Sequence, residues 1–379
     1  MNIVGLLFII IYFVKIIVEK KKLEESRSKI KTIIHVNGIR GKSTVSRLID
    51  AGLRDGKNKV FTKVTGTNPR YINVEGIEKP INRRGKANIR EQIKIINKCA
   101  ESKGEILILE CMAVKPEFQR ICEEKILRAN ISVITNVRED HLDEMGGTLE
   151  KIAASLSSMI CTNGVLFTGD KNYFEFFKEV AKKKNSKAYL SSCEKKDYEE
   201  IDFPENVALA LEVCGYCGVD KKEALERMKN YKRDVGILKG IQFKNKLEKN
   251  IYFLNAMAAN DPNSTENIIK LYKEKPVWKR ERYLMVNNRK DRLTRLNQFA
   301  NFVKENQGDY KKIFISGESK KIFYKKLKHL KDKIEIIENV NDFDKLDSDS
   351  LIIAVGNICG IGKEILEKIE RRGEKWMRL

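Results

Sequence analysis

The sequence predicts an α/β protein with two sheet-bearing domains, the first mostly parallel, and an apolar helix ahead of them. Three observations predict it. Short β-branched runs alternate with stretches of helical spacing from Lys31 to about Tyr231. A glycine-rich turn joins one such run to a helix. The alternation then restarts near Asp234-Val235-Gly236.

In chain order, Asn2 to Val18 is almost continuous hydrocarbon, with Lys15 near its end and Lys20, Lys21 and Lys22 directly after. No basic segment precedes it and no small-residue cleavage site follows, which argues against a signal peptide. Its length is near the lower limit for a membrane helix, and Lys15 can snorkel to the headgroups. The expectation is a transmembrane anchor over 1–20, with everything after it on the cytoplasmic side. Domain one then covers 21–235. Its strands are TIIHVNG, EILILECMA and ISVITNV; its helices include RLIDAGL, REQIKIINKCA and TLEKIAASLSSMI. Domain two covers 236–379, with IYFLNAMA, RYLMVNN, KIFISG and LIIAVGN as strands. The runs Lys182–Lys184 and Lys325–Lys333 read as solvated helix faces.

Composition narrows the partners. Lys and Arg total 74 against 53 Asp and Glu, a formal charge of +21 with three histidines. Nucleic acid, an anionic membrane or a polyanionic substrate would each match that charge. No RNA-binding aromatic motif or zinc-finger spacing accompanies it, so a specific nucleic-acid partner is not expected. Most of the eight cysteines lie in apolar periodic segments, as buried free thiols do in a reducing compartment. Cys214-Gly-Tyr-Cys217 lacks a second pair and reads as a helix end.

The glycine-rich turn is Asn37-Gly38-Ile39-Arg40-Gly41-Lys42-Ser43-Thr44. A strand precedes it and a helix opens at about Ser43, so backbone N–H groups and a helix N-terminus converge on one point, which suits phosphate. Lys42 would reach the β- and γ-phosphates of ATP, and the Ser43 hydroxyl would bind Mg²⁺. Val36 stands where the full Walker pattern has its first glycine, leaving the shorter form G-x-x-G-K-S-T.

Three strand ends add candidate metal ligands. Glu110 closes ILILE, and carboxyl ends of strands line the ligand crevice in doubly wound sheets. ITNVREDHLD, Ile134 to Asp143, ends in Asn136, Asp140, His141 and Asp143, and a histidine among carboxylates can hold a metal. Thr65-Gly66-Thr67-Asn68-Pro69 offers the Thr65 and Thr67 hydroxyls to a second Mg²⁺.

Together these segments resemble the Mur ligase superfamily of ATP-dependent amide ligases. The short glycine loop matches, and N-x-x-x-D-H-x-D is met by Asn136 to Asp143. The resemblance puts the family's metal-binding Glu and His on Glu110 and His141, and makes Lys42 catalytic with them. It matches the Asn/Ala-rich helix to Glu205–Ala210, with Asn206 at the nucleotide. In the second domain it matches Asn255–Pro262, including Asn260 and Asp261, and Val286–Arg292, with Arg289, Asp291 and Arg292 closing over ATP. It implies a Rossmann-like fold for that domain, and ATP with Mg²⁺ (or Mn²⁺) as cofactors.

The chain departs from the peptidoglycan ligases, whose extra N-terminal domain for a uridine nucleotide is replaced here by the apolar helix. Ser155 or Leu156 aligns with their carbamylated lysine, and Asn255 replaces an aspartate. Within the superfamily the chain is most similar to the ligase subunits of poly-γ-glutamate synthases. That similarity implies polymerisation of glutamate through an acyl phosphate at the cytoplasmic membrane face. It implies a small multi-spanning membrane subunit and an export-linked subunit as partners, with poly-γ-glutamate as product. The lysine excess would hold that polyanion. The alternatives are a folylpolyglutamate-synthase-like ligase and a membrane-anchored P-loop ATPase or kinase that forms no amide.

Overall fold

Apolar runs with branched side chains on both faces make the first sheet. The structure, a computed structural model, describes residues 3–377 apart from 67–68, 84, 86, 141, 194–197, 199, 234–237, 259–261 and 291–292. It divides into two compact units, Met1–Asp234 and Val235–Leu379.

In the first unit, the strands are β1 (Thr32–Asn37), β2 (Val60–Val64), β3 (Arg70–Ile72), β4 (Glu78–Pro80), β5 (Ile106–Glu110), β6 (Ile131–Ile134), β7 (Val165–Thr168) and β8 (Lys187–Leu190). They are ordered β4-β3-β2-β5-β1-β6-β7-β8. All pairs are parallel except β2–β3 and β3–β4. A strand buried on both faces carries no polar alternation. Ile34, Val36, Ile106, Ile108 and Val133 accordingly pack with Val45, Leu48 and Ile49 of the helix Lys42–Leu53 and Val207 and Leu211 of the helix Pro204–Tyr216. Their neighbours Ile33, Leu107 and Leu109 face the other way, onto Ile95, Ile96 and Cys99 of the helix Glu91–Glu101. The register sets Val36 beside Glu110 and Asn37 beside Ile134, so three strand ends reach one edge together.

The N-terminal segment corrects an expectation. A helix runs from Ile3 to Ser28, well past the apolar run. Among the described residues no helix is long and apolar enough to cross a membrane, so the span expected over 1–20 is not found. Ile3 to Val18 rises roughly 24 Å at 1.5 Å per residue, short of a ~30 Å hydrocarbon core. The charged turn Glu19–Lys22 follows at once. Beyond it the helix joins the first unit: Leu23 is buried with Ile95 and Ile96, Glu19 pairs with Arg90, and Lys22 pairs with Glu101. Leu7, Ile9, Ile10, Ile11, Tyr12, Phe13, Val14, Ile16, Ile17 and Val18 are left exposed.

The second unit holds β9 (Lys239–Lys244), β10 (Asn250–Asn255), β11 (Glu281–Asn288), β12 (Lys312–Gly317), β13 (Ile334–Ile336), β14 (Ser350–Gly356) and β15 (Glu374–Met377). The order is β13-β12-β11-β14-β10-β9-β15, parallel from β13 to β10 and antiparallel beyond. Helices cover both faces. Leu284, Val286 and Ile353 pack with Phe299 and Val303, while Met285, Phe314 and Ile352 pack with Ile365 and Ile369. The chain turns opposite ways from β11 and β14, and the carboxyl ends of such a pair form a crevice. Asn287, Asn288, Arg289, Gly356 and Asn357 line it.

The eight cysteines are free thiols, and the helix holding Cys214 ends at Tyr216, with Gly218 in the left-handed region at φ +84°. This is the helix end expected for that CxxC.

Candidate active site

The loop after β1 can form only with glycine at two positions. Gly38 has φ +126°, and a Cβ there would lie 2.0 Å from Thr135 Oγ1 and 2.8 Å from its backbone nitrogen. Gly41 has φ +80°, and a Cβ would lie 2.7 Å from Asn206 Oδ1. Both conformations are costly for residues with a side chain. Gly41 also precedes the first turn of the helix Lys42–Leu53, with no side chain capping it. The first N–H groups of that helix therefore have no cap from that residue, the arrangement that suits an anion.

The end of β6 clamps the loop from one side. The Ile39 N–H donates to the Asn136 carbonyl at 3.2 Å, and the Arg40 N–H donates to Asn136 Oδ1 at 3.0 Å. Thr135 Oγ1 and Asn136 Nδ2 both donate to the Arg40 carbonyl, at 2.6 and 3.1 Å. The Arg40 guanidinium pairs with Asp140 at 3.1 Å. Asn37 donates its amide to Gln119 Oε1 at 2.8 Å. Thr44 lies in the first turn of the following helix.

Glu110 gathers the other ligand candidates. Its Oε2 accepts the Ser43 hydroxyl at 2.8 Å and the Thr65 backbone N–H at 2.6 Å, and its side chain is buried. Lys42 folds back, donating to the carbonyls of Gly38 at 2.8 Å and Ile39 at 3.2 Å. Desolvation pushes its pKa down, and the nearby Glu110 carboxylate partly offsets this. A triphosphate in the loop would replace those carbonyl contacts with anionic ones. The Glu110 carboxylate and the Ser43 hydroxyl oxygen are hard donors, as Mg²⁺ or Mn²⁺ prefers. The glycine cradle, the lysine and this oxygen set fit a metal-bound nucleotide.

Of the residues expected at the site, Asn37, Gly38, Ile39, Arg40, Gly41, Lys42, Ser43, Thr44, Thr65, Glu110 and Asn206 meet at this edge of the first unit. Asn255 and Arg289 end β10 and enter the loop after β11 in the second unit. Asn255 accepts the Met257 N–H at 3.3 Å, and Arg289 donates to Cys359 Sγ at 3.7 Å. Thr67, His141, Asn260, Asp261, Asp291 and Arg292 lie outside the described residues. Among the described residues no group of three His, Cys, Asp or Glu could hold a metal by itself.

Two buried networks behind the site were not legible in the sequence. Lys63 is fully buried at the end of β2, held by Glu91 at 2.8 Å and Gln92 Oε1 at 2.9 Å. Gln92 Nε2 in turn donates to the Glu110 carbonyl at 3.3 Å. Arg83 forks onto Glu91 at 2.6 and 2.9 Å. Burial alone would raise the Glu91 pKa, but Arg83 and Lys63 outweigh it and hold the carboxyl down at about 2. His35 Nδ1 lies 2.7 Å from Glu123 Oε2, both buried. Burial opposes the charged imidazole, yet Cys111 and Glu123 raise its pKa to about 9. One signal was available: a lysine inside the two-sided apolar strand VFTKV needs an acid partner.

Comparison with known proteins agrees with this geometry. Residues 36–213 match the Mur ligase middle domain, and residues 241–372 match the poly-gamma-glutamate synthase CapB C-terminal domain. The chain is 35% identical to the PGA synthase CapB of Bacillus subtilis (strain 168), over 93% of this chain and 94% of that protein. It is 36% identical to the capsule biosynthesis protein CapB of Bacillus anthracis, over 77% of this chain and 64% of that protein. Among solved structures, a folylpolyglutamate synthase from Thermotoga maritima matches with a TM-score of 0.66 at 16% identity, covering 93% of each chain. A bifunctional folylpolyglutamate synthase/dihydrofolate synthase from Yersinia pestis, complexed with AMPPNP and Mn ion, matches with a TM-score of 0.68 at 13% identity, covering 92% of each chain. At those identities the structures establish the fold. The glycine loop, the Glu110 cluster, the two domain matches and the near full-length sequence likeness lead to one family: the chain belongs to the CapB poly-γ-glutamate synthases, a branch of the Mur ligases.

Proposed function

We propose that this chain is an ATP-dependent amide ligase that extends poly-γ-glutamate. The observation that carries the reading is the cluster of Ser43, Thr65 and Glu110 at the mouth of the Gly38–Thr44 loop, in a chain of the CapB family. Amide formation from a free carboxylate is unfavourable in water, so the carboxylate must first be activated. Its oxygen attacks the γ-phosphorus of ATP and the bond to the β-phosphate breaks, giving an acyl phosphate and ADP. The amine of the next glutamate attacks the acyl carbon, loses a proton, and phosphate departs as the amide forms.

The chain's groups position and neutralise. Loop N–H groups and the helix start at Lys42 hold the phosphates, and Lys42 leaves the Gly38 and Ile39 carbonyls for the transferring phosphoryl oxygens. Ser43, Thr65 and Glu110, with His141 and Thr67 assigned from the motifs, would hold Mg²⁺ or Mn²⁺, which supplies charge neutralisation when bound. Positioning and electrostatics account for most of the rate in such transfers. Asn206, against Gly41, keeps the loop in its left-handed turn.

The exposed apolar stretch from Leu7 to Val18, with Lys20–Lys22 after it, supports attachment at the cytoplasmic face of a membrane, its side chains at the headgroup–acyl boundary. A small multi-spanning subunit and an export-linked subunit are the partners this location suits.

The test is incubation of membranes carrying the chain with ATP, Mg²⁺ and labelled glutamate, followed by sizing of the product. Long γ-linked polymer is expected. ATP hydrolysis without glutamate dependence would leave only the ATPase reading. Addition of a few glutamates strictly dependent on a pteridine would point instead to the folylpolyglutamate synthases whose fold it shares.

A further inference from the structure

The second unit carries a run of basic residues that its own acids leave unneutralised. Residues 320–333 contain seven lysines and a histidine against one acid, Asp332. The run forms the helix Lys320–Lys326 and a 3-10 stretch, Lys328–Lys333, roughly 20 Å long in all. Phe323, Leu327 and Leu330 anchor it to the core, so Lys321, Lys325, Lys326, Lys328 and Lys331 point outward. None of these five makes an ion pair among the described residues. Apart from Asp332 in the run itself, nearby carboxylates are taken: Lys320 pairs with Glu338, Lys312 and Lys345 pair with Glu335, and the Lys290 N–H donates to Glu318.

Some lysines on other helices are paired locally. Lys178 pairs with Glu175, Lys221 with Glu212, Lys229 with Glu226, and Lys363 with Glu367. Lysines four apart on one helix face repel each other, and the run places Lys321 and Lys325 in that relation with no acid between them. Its position is also particular. Gly317, which ends β12, lies beside Asn288 in the sheet register, at the crevice containing Arg289. The run starts there and leads away along the unit's flank to β13.

We propose that this lysine strip is a track for the growing poly-γ-glutamate chain, binding its free carboxylates and retaining it between additions. The inference rests on the ligase reading and adds where the product lies. A polyanion without fixed shape needs spaced exposed cations rather than a pocket. An anionic membrane surface fits less well. A helix lying in a membrane turns a large apolar face outward, whereas Phe323, Leu327 and Leu330 are spent on the core and Ile322 is the strip's exposed large apolar side chain.

The test replaces all five lysines together, Lys321→Gln, Lys325→Gln, Lys326→Gln, Lys328→Gln and Lys331→Gln, in the full chain. Labelled γ-linked oligoglutamates, short and long, are titrated at low and high salt. Affinity for the long oligomer should fall about tenfold at low salt, and its salt dependence should flatten, because exposed charges are screened beyond about 8–10 Å. Polymer made in the activity assay should be shorter, with KM for ATP and addition to a short acceptor unchanged. Arginine at the same five positions should restore binding, which separates lost charge from lost folding. A control with Lys182→Gln, Lys183→Gln and Lys187→Gln in the first unit should leave binding intact. Unchanged affinity and salt slope in the five-site variant, or an equal loss in the control, would overturn the track. So would loss of binding to anionic lipid vesicles with oligoglutamate binding retained. If the wild-type chain binds oligoglutamate but adds no glutamate, the ligase reading fails while the strip's affinity stands.

Discussion

Lys42 is held at 2.8 and 3.2 Å by two carbonyls of its own loop, so removing it costs the fold little and the phosphate site its cation. Lys42→Ala should abolish ATP-dependent glutamate addition while leaving the thermal midpoint within a degree or two of wild type; turnover near normal would refute the phosphate-loop assignment. Glu110 is buried and takes two hydrogen bonds on one oxygen. Glu110→Gln keeps the shape and drops the charge, and should raise the Mg²⁺ or Mn²⁺ concentration for half-maximal activity ~10–100-fold. A metal titration superimposable on wild type would make the residue purely structural. His35 gives a pH prediction. Its pKa rises from the ordinary 6.5 to about 9 in the fold, so its pairing stabilises fully below about pH 6.5 and is lost as pH climbs through 9. Urea unfolding of wild type should therefore weaken over that window more than unfolding of Glu123→Gln, which removes one of the two groups that raise it and leaves Cys111. Parallel pH profiles in the two proteins would show that Glu123 does not raise the His35 pKa.

Elements carry the next set of expectations. The strand–loop–helix over Thr32–Leu53 was readable because β-branched residues stop at a glycine and helical spacing starts at a lysine. The loop's two glycines have separate physical reasons, Gly38 facing Thr135 and Gly41 facing Asn206. Gly38→Ala and Gly41→Ala should each remove nucleotide binding and destabilise the chain by about 1–2 kcal/mol from the left-handed backbone alone, measured by calorimetry with and without ATP. Near-normal ATP affinity in either would mean the loop adapts. The helix Ile3–Ser28 divides by environment. Deleting 1–18 should release the chain from membranes and leave its unfolding midpoint unchanged, because Glu19, Lys22 and Leu23 keep their partners. A large drop in midpoint would show that the exposed apolar stretch packs within the protein. The span expected there failed on a length argument: the apolar run ends about one helical turn too early.

For the molecule as a whole, linkage supplies a global readout. Ligand that binds only the folded state stabilises by mass action, about 2.7 kcal/mol at a hundredfold excess over Kd. ATP with Mg²⁺ should raise the unfolding temperature of wild type, ATP without metal should raise it less, and neither should move Lys42→Ala. Equal shifts with and without metal would separate nucleotide binding from the Glu110 cluster. The +21 charge is a property of the whole chain, and the run after Lys320 concentrates part of it: Lys321, Lys325, Lys326, Lys328 and Lys331 are exposed and make no ion pair among the described residues.

By itself the sequence determined the α/β class, the strand–glycine–helix phosphate loop and the carboxylate at the end of β5, because period, glycine placement and strand-end position are local properties. It also carried the motif set of the family, which depends only on residue order. Tertiary structure alone decided that Ser43 and the Thr65 N–H share one oxygen of Glu110, residues separated by whole strands that meet only through sheet register. It alone showed that Lys63 and His35 are buried with acid partners from the helices that follow, since a strand pattern does not say which helix covers it. And it alone showed which lysines are spent on neighbouring carboxylates and which face water, because charge pairing is set by distance in space rather than by position along the chain.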